Sequence, residues 1–170
     1  MRDQSVNKRC DRRTLTKLLE VLTEYLRQSL PQFRKKFIVL RDEIKITRQY
    51  IQIQNIRFEN SIELQINIPP QLHSIKILPM MMLTLVENAV KHGLQKNKGG
   101  ILSISATNNH QELLITVRDN AGILYQGPGG IGLENLKTRL QLHYGSDAVF
   151  ELKQAVNKYT EATLRIPVHV

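Results

Sequence analysis

The residue types best suited to chemistry lie close together near position 90. Glu87, Asn88, Lys91 and His92 fall within six positions, and helical spacing would place Asn88, Lys91 and His92 along one edge of a helix. An amide oxygen suits Mg²⁺, and Lys and His donate hydrogen bonds to phosphate oxygens. This set would serve a magnesium–triphosphate site. The same residues also fit a solvated last helical turn, where Lys and His interact favourably with the helix dipole.

A second set follows about thirty positions later. Asp119-Asn120-Ala121-Gly122 comes directly after an apolar run, so it places a carboxylate at a strand end beside a turn. Such a carboxylate can accept a hydrogen bond from an exocyclic amine, as on adenine. The same four residues are also typical of an ordinary turn.

A glycine-rich stretch comes next. Gly127, Gly129, Gly130 and Gly132 precede a predicted helix, whose N-terminus and free backbone N–H groups would suit phosphate. The stretch has neither the Walker spacing nor the context of a dinucleotide-binding fold.

The elements that must position these residues follow from hydrophobic periodicity. We predict helices over residues 15–30, 42–58, 79–92 and 133–144, the first ended by Pro31, and strands over 62–68, 101–107, 113–118, 148–154 and 162–168. This order favours an α+β fold with one sheet covered on one face by helices. The helical stripe of Ile44, Ile51 and Phe58 predicts a packing or dimer surface.

The pattern changes near residue 60. We therefore predict a helical arm over residues 1–60 and a sheet-containing domain over 61–170.

Composition and charge narrow the class of protein. Of 170 residues, 41% are hydrophobic, and the single Cys10 excludes an internal disulfide. The net charge is +9, of which residues 1–60 carry +7 (14 basic against 7 acidic). The basic pairs lack interleaved aromatic residues, so nucleic-acid binding is the weaker interpretation of this charge.

In order, the three motifs resemble those of the ATP-binding catalytic domain of sensor histidine kinases, the GHKL or Bergerat fold. The resemblance is greatest to the LytS/YehU branch. Residues 85–93 resemble its N box, 119–122 its G1 box and 130–136 its G2 segment, while Glu43, Tyr50, Ile53, Arg57 and Phe58 resemble its linker helix. The resemblance implies a Bergerat-type α/β sandwich with a mixed sheet, preceded by a helical arm that retains part of the dimerisation helices.

The resemblance also implies roles for individual residues. Asn88 would ligate Mg²⁺ and, with Glu87 in an accessory role, form the catalytic pair. Lys91 and His92 would contact the phosphates, and Asp119 would bind the adenine amine, with Thr160 supporting that pocket. Gly122, Gly130, Gly132 and Leu133 complete the nucleotide-binding set, and residues 123–131 would form a lid.

Two departures from the family pattern concern the glycines. Ala121 and Ile123 stand at two usual Gly positions around Gly122, and Tyr159-Thr160 replaces a Gly-Thr pair. Loss of backbone freedom there would lower nucleotide affinity without abolishing it.

A third departure concerns the phosphoacceptor. No His precedes His73, so the chain would be a C-terminal fragment that phosphorylates a His located elsewhere. The implied cofactors are ATP and Mg²⁺, and the implied partners are a response regulator and a second copy joined through the N-terminal helices. We expect a cytoplasmic domain, with the parent protein anchored in the bacterial inner membrane.

Two other functions are open at this point. The chain would be a degenerate, non-catalytic helical interaction module if its boxes no longer bind nucleotide. A basic nucleic-acid-binding domain is the third hypothesis, and it predicts steeply salt-dependent binding.

Overall fold

The computed structural model describes residues 12–58, 61–109, 111–121, 131–154 and 159–168. The elements in chain order are α1 (Arg12–Gln32), β1 (Ile38–Val39), α2 (Leu40–Arg57), β2 (Ile62–Asn67), β3 (Lys76–Ile77), α3 (Met81–Asn88), a π-helical segment (Ala89–Leu94), β4 (Gly100–Asn108), β5 (Glu112–Asp119), α4 (Ile131–Tyr144), β6 (Val149–Gln154) and β7 (Thr160–Pro167).

The main sheet has five strands in the order β2-β4-β5-β7-β6. The β2–β4 pair is parallel and the other pairs are antiparallel, so the sheet is mixed, as predicted. β1 and β3 form a separate two-residue pair, too short to leave a periodic signal in the sequence.

Alternate residues of the central strands build the core on one face of this sheet. Leu102, Ile104, Leu113, Ile115 and Leu164 are completely buried and pack against apolar residues of α2, α3 and α4. The period of two seen in the sequence therefore corresponds to one buried face. The predicted α+β class with helices over one face of the sheet is confirmed.

Helix α2 belongs to the same core. Leu40, Ile44 and Ile51 are buried in the cluster that fills the space above the sheet. The heptad of Ile44 and Ile51 thus marks a surface packed within this chain, not one left open for a second copy. The division of the chain at residue 60 stays a prediction.

Helix boundaries differ from expectation at two places. Pro31 lies inside the last turn of α1, which ends one residue later at Gln32. The helix predicted over 79–92 begins at Met81, after Met80 in a left-handed conformation, and continues beyond Asn88 as a π-helical segment.

No helix among the described residues is long and apolar enough to cross a bilayer.

Candidate functional site

The first group of candidate residues lies where α3 passes into the π-helical segment. Asn88 is the last residue of α3 and is half-buried, while Lys91 is exposed and His92 half-buried. Val90, Gly93 and Leu94 are buried beneath them. The segment therefore faces the core with its small and apolar residues and presents polar residues at its surface.

The π-helical turn sets how these residues are displayed. The backbone N–H of Gln95 donates to the carbonyl oxygen of Val90 at 2.9 Å, which closes a turn one residue wider than an α-helical turn. Single π turns inside helices frequently occur at functional sites. Sequence periodicity gives no sign of this extra residue, so a uniform α-helix was expected.

The second group lies at the end of β5, the middle strand of the sheet. The Asp119 side chain is buried, with 2% of its surface exposed. Its Oδ1 accepts a hydrogen bond from the backbone N–H of Ala121 at 3.0 Å. This turn fixes the carboxylate at the edge of the core and not in solvent.

Gly93 brings the two groups together. A Cβ atom at this glycine would lie 2.7 Å from Asp119 Oδ1 and 3.0 Å from its Cγ, closer than real side chains approach. The carboxylate thus rests directly against the backbone of the π-helical segment, because residue 93 has no side chain. The two motifs meet at this contact.

Thr160 borders the same carboxylate. It pairs with Asp119 across the β5–β7 ladder. Its hydroxyl oxygen is buried and has no hydrogen-bond partner within the described part of the chain. A buried hydroxyl without a partner costs free energy, on the order of 1–3 kcal/mol, and a polar ligand atom at this place would remove that cost.

Asn120 adds a contact that the sequence did not predict. Its Oδ1 accepts the backbone N–H of Ile101 at 2.8 Å, and a Cβ on Gly100 would lie 2.2 Å from that oxygen. Gly100 has a φ of +144°, a conformation that other residues rarely adopt. Asn120 and Gly100 therefore hold the end of β5 against the start of β4, beside Asp119.

Electrostatics distinguish Glu87 from His92. Burial raises the pKa of Glu87, and the positive charge of Lys91 offsets part of that rise. Burial lowers the pKa of His92, and Lys91 and Lys96 act in the same direction. At neutral pH His92 is therefore mostly the neutral imidazole, able to donate one hydrogen bond and accept another.

The residues predicted in the glycine-rich segment are only partly described. Gly122, Gly130 and the lid residues 123–130 lie outside the described residues. Gly132 lies in the first turn of α4, and a Cβ there would make an ordinary 3.6 Å contact with Thr84. Leu133 is buried in the core of the domain.

Glu43 of α2 is part of the family resemblance as a linker-helix residue, but the motifs assign it no role at this site. Its side chain is completely buried, and both carboxylate oxygens accept backbone N–H groups at the start of α3. The sequence signal is an acid between Leu40 and Ile44 on the apolar face of a helix.

The chemistry of these groups suits a nucleotide with Mg²⁺. The carboxylate of Asp119 offers acceptor oxygens beside the unpartnered hydroxyl of Thr160. The neutral oxygen of Asn88 suits Mg²⁺, which binds proteins through one or two oxygens and takes the rest from phosphates and water. Acceptors lie at β5 and donors at the π-helical segment, so the set fits a base at one end and phosphates at the other.

A cavity of about 380 Å³ lies nearby but does not include these residues. Arg57, Phe58, Leu94, Lys98 and Gly99 are among its lining. We therefore place the candidate site by the contact of Gly93 with Asp119 and not by this cavity.

Sequence comparison defines the class of protein to which this fold and site are related. The family model described as "Histidine kinase" matches residues 4–62. The sensor histidine kinase BtsS of Escherichia coli K12 is 32% identical over 163 residues, which are 94% of this chain and 29% of that protein. The sensor protein LytS of Bacillus subtilis is 28% identical over 94% of this chain and 30% of its own length.

Comparison of structures agrees. The histidine kinase domain of a blue-light activated kinase from Erythrobacter litoralis superposes with a TM-score of 0.62, at 16% identity, over 91% of this chain and 75% of that one. The chain is therefore a homologue of the sensor histidine kinases and has the fold of their catalytic domains. Within that class its relatives are of the LytS and BtsS type, as the motifs indicated, and it spans less than a third of the length of these two.

Proposed function

We propose that this chain is the ATP- and Mg²⁺-binding catalytic part of a sensor histidine kinase. It transfers the γ-phosphoryl group of ATP to a histidine outside this chain, from which the phosphoryl group passes to an aspartate of a response regulator. The observation that carries the proposal is the contact between Gly93 and the buried carboxylate of Asp119, because it joins the two motifs at one site.

In this proposal each residue has a distinct role. Asp119 accepts a hydrogen bond from the adenine amine, and Thr160 supplies its unpartnered hydroxyl beside it. Asn88 ligates Mg²⁺, and Lys91 and His92 donate to the phosphate chain. Glu87 has an accessory role at the metal or the attacking group. Gly122, Gly130, Gly132 and Leu133 complete the nucleotide-binding set.

The chemistry asked of the protein is positioning and charge neutralisation. Phosphoryl transfer passes through a loose transition state in which the negative charge spreads over the phosphoryl oxygens. Lys91 and the metal at Asn88 counter that charge. No covalent intermediate on this chain is required.

The other parts of the proposal concern the whole kinase. We propose a homodimer through the N-terminal helices, a response regulator as partner, and a cytoplasmic position for this domain below a membrane anchor located elsewhere in the parent protein. The relatives named sensor histidine kinases support this arrangement. The degenerate interaction module is the competing function, and the exposed leucines of α1 are the observation that favours it.

Isothermal titration calorimetry with Mg²⁺-ADP tests nucleotide binding. We expect the wild type to bind, and Asp119→Asn to weaken affinity at least tenfold because the amide presents a donor where the adenine amine needs an acceptor. Gly93→Ala should do the same, since its Cβ displaces the carboxylate. Asp147→Asn is the matched control, because Asp147 is exposed and remote from both motifs in the sequence. Equal affinity in the wild type and Asp119→Asn would contradict the proposal.

A further inference from the structure

The helix that carries Asn88 lacks an amino-terminal cap of its own. Met80 precedes α3 with φ of 63° and ψ of 16°, and no side chain of the cap residue binds the free N–H groups of the first turn. Four such N–H groups are left at the start of any helix, and a buried helix end needs partners for them.

Glu43 supplies these partners from α2, about forty positions earlier in the chain. Its Oε2 accepts the N–H of Met80 at 2.8 Å, and its Oε1 accepts the N–H of Leu83 at 3.0 Å. The N–H of Met82 also contributes. When the carboxyl group is ionised, its negative charge lies at the positive end of the helix dipole, which favours that charge.

Helix α4 fixes the same turn from a different direction. The guanidinium of Arg139 donates to the carbonyl oxygen of Pro79 at 2.7 Å. The hydroxyl of Thr84 donates to the carbonyl oxygen of Met80 at 2.6 Å, so the unusual backbone there is bound from within α3 as well. The start of α3 is therefore held between α2 and α4.

The distance to the candidate site is short. Asn88 is eight residues after Met80 and five after Leu83, so it lies roughly 8 to 12 Å along the helix axis from the bonds of Glu43. Five of the eight residues of α3 are buried, and a close-packed interior transmits a shift at the start of such a short helix toward its end. Both ends of this helix are thus set by contacts with other elements: Glu43 at the start and Asp119 beyond the end.

We propose that Glu43 is a positioning residue, which holds the amino terminus of α3 and thereby sets where Asn88 lies relative to Asp119. The inference rests on the proposed function for the role of Asn88. It makes α2, the helix that follows α1, the element that adjusts the nucleotide site.

Two measurements on Glu43→Gln test this role. The glutamine keeps the shape but replaces one acceptor oxygen with an NH₂ donor that faces backbone N–H groups. We expect Mg²⁺-ADP affinity to fall about tenfold or more, because small displacements of positioning groups are costly. We also expect faster amide hydrogen exchange across residues 81–94.

The matched control is Leu113→Ala, a completely buried residue at the opposite end of β5 from Asp119. This variant should lower the stability of the whole fold but leave the affinity for ADP unchanged. Amide exchange of residues 81–94 should not accelerate more than exchange of the other core amides. This control separates positioning from general destabilisation. Glu43→Ala is a second variant and should behave like Glu43→Gln where it folds.

The outcomes distinguish this inference from the proposed function. Unchanged affinity and unchanged exchange in Glu43→Gln would overturn the role of Glu43. If the wild type binds no nucleotide, the proposed function fails, and hydrogen exchange alone then decides whether Glu43 holds the start of α3.

Discussion

At the scale of single residues, Glu43 stands out because its carboxyl group is completely buried. Complete burial raises its pKa to about 7, although the backbone N–H groups of Leu83 and Met80 and the charge of Arg139 act in the opposite direction. Burial of a carboxylate is costly unless it is hydrogen-bonded, and these N–H groups reduce that cost. The residue therefore titrates close to neutral pH.

This titration predicts a pH dependence of stability. The folded state binds the proton of Glu43 more tightly than the unfolded state, whose pKa is near 4.5. The free energy of unfolding should consequently fall as pH rises from about 5 to about 8, by on the order of 3 kcal/mol from this group. Urea denaturation across this range measures it.

Glu43→Gln serves as the reference in that experiment, since it removes the titrating group and keeps the others. Burial of Glu87 and His92 shifts their pKa values too, so the difference between wild type and variant isolates Glu43. Parallel profiles for the two proteins would contradict a raised pKa.

At the scale of elements, α1 presents an apolar surface that no other element among the described residues covers. Its exposed apolar residues recur every three or four positions and so share one face of the helix. They are Leu15, Leu19, Leu22, Leu26 and Leu30, with Phe33 just beyond the helix end. Leu19 is 62% exposed and Leu30 57% exposed. Such a continuous apolar face is typical of an interaction surface.

We predict that this face of α1 joins two copies of the chain. Leu19→Glu combined with Leu26→Glu should convert a dimer into a monomer, because the carboxylates would be buried without partners. Size-exclusion chromatography with light scattering measures the mass. Lys17→Glu carries the same total change of charge at an exposed residue of α1 that lies on the opposite side of the helix from these leucines, and it should remain dimeric.

The structure decides between the packing surface and the dimer surface that the stripe of Ile44 and Ile51 on α2 left open, because both residues lie in the domain core. Substitution of both by Asp should therefore unfold the chain and cannot report on a dimer. A monomeric wild type would count against the α1 interface.

At the scale of the whole molecule, the proposed catalytic function requires an acceptor histidine outside this chain. Its five His are at 73, 92, 110, 143 and 169, and none lies in the N-terminal arm where the family resemblance places the phosphoacceptor. In the proposed function this chain supplies the nucleotide site, and a second polypeptide segment supplies the acceptor.

We predict transfer between separate molecules. A separately made pair of phosphoacceptor helices from a LytS-type kinase, mixed with this chain, Mg²⁺ and labelled ATP, should gain label that is stable to base and labile to acid. Asn88→Ala should lower the rate at least a hundredfold, since loss of a positioned transition-state contact costs about that much. If the wild type and Asn88→Ala label the helices at equal rates, the proposed role of Asn88 is contradicted.

The sequence determined the elements and the class of this protein. Periods of two and of three to four residues predicted the four helices and five strands of the main sheet to within a few positions, because burial of one face imposes those periods. The three boxes and their order indicated a histidine kinase domain, and the homologues confirm it.

Only the tertiary structure decided which distant residues meet. The contact of Gly93 with Asp119, the π-helical turn and the cap that Glu43 places on α3 depend on packing between elements, which leaves no period in the sequence. The same reason explains why the stripe on α2 proved to be core while that on α1 is exposed: periodicity shows that a helix has an apolar face, and the neighbouring elements decide what covers it.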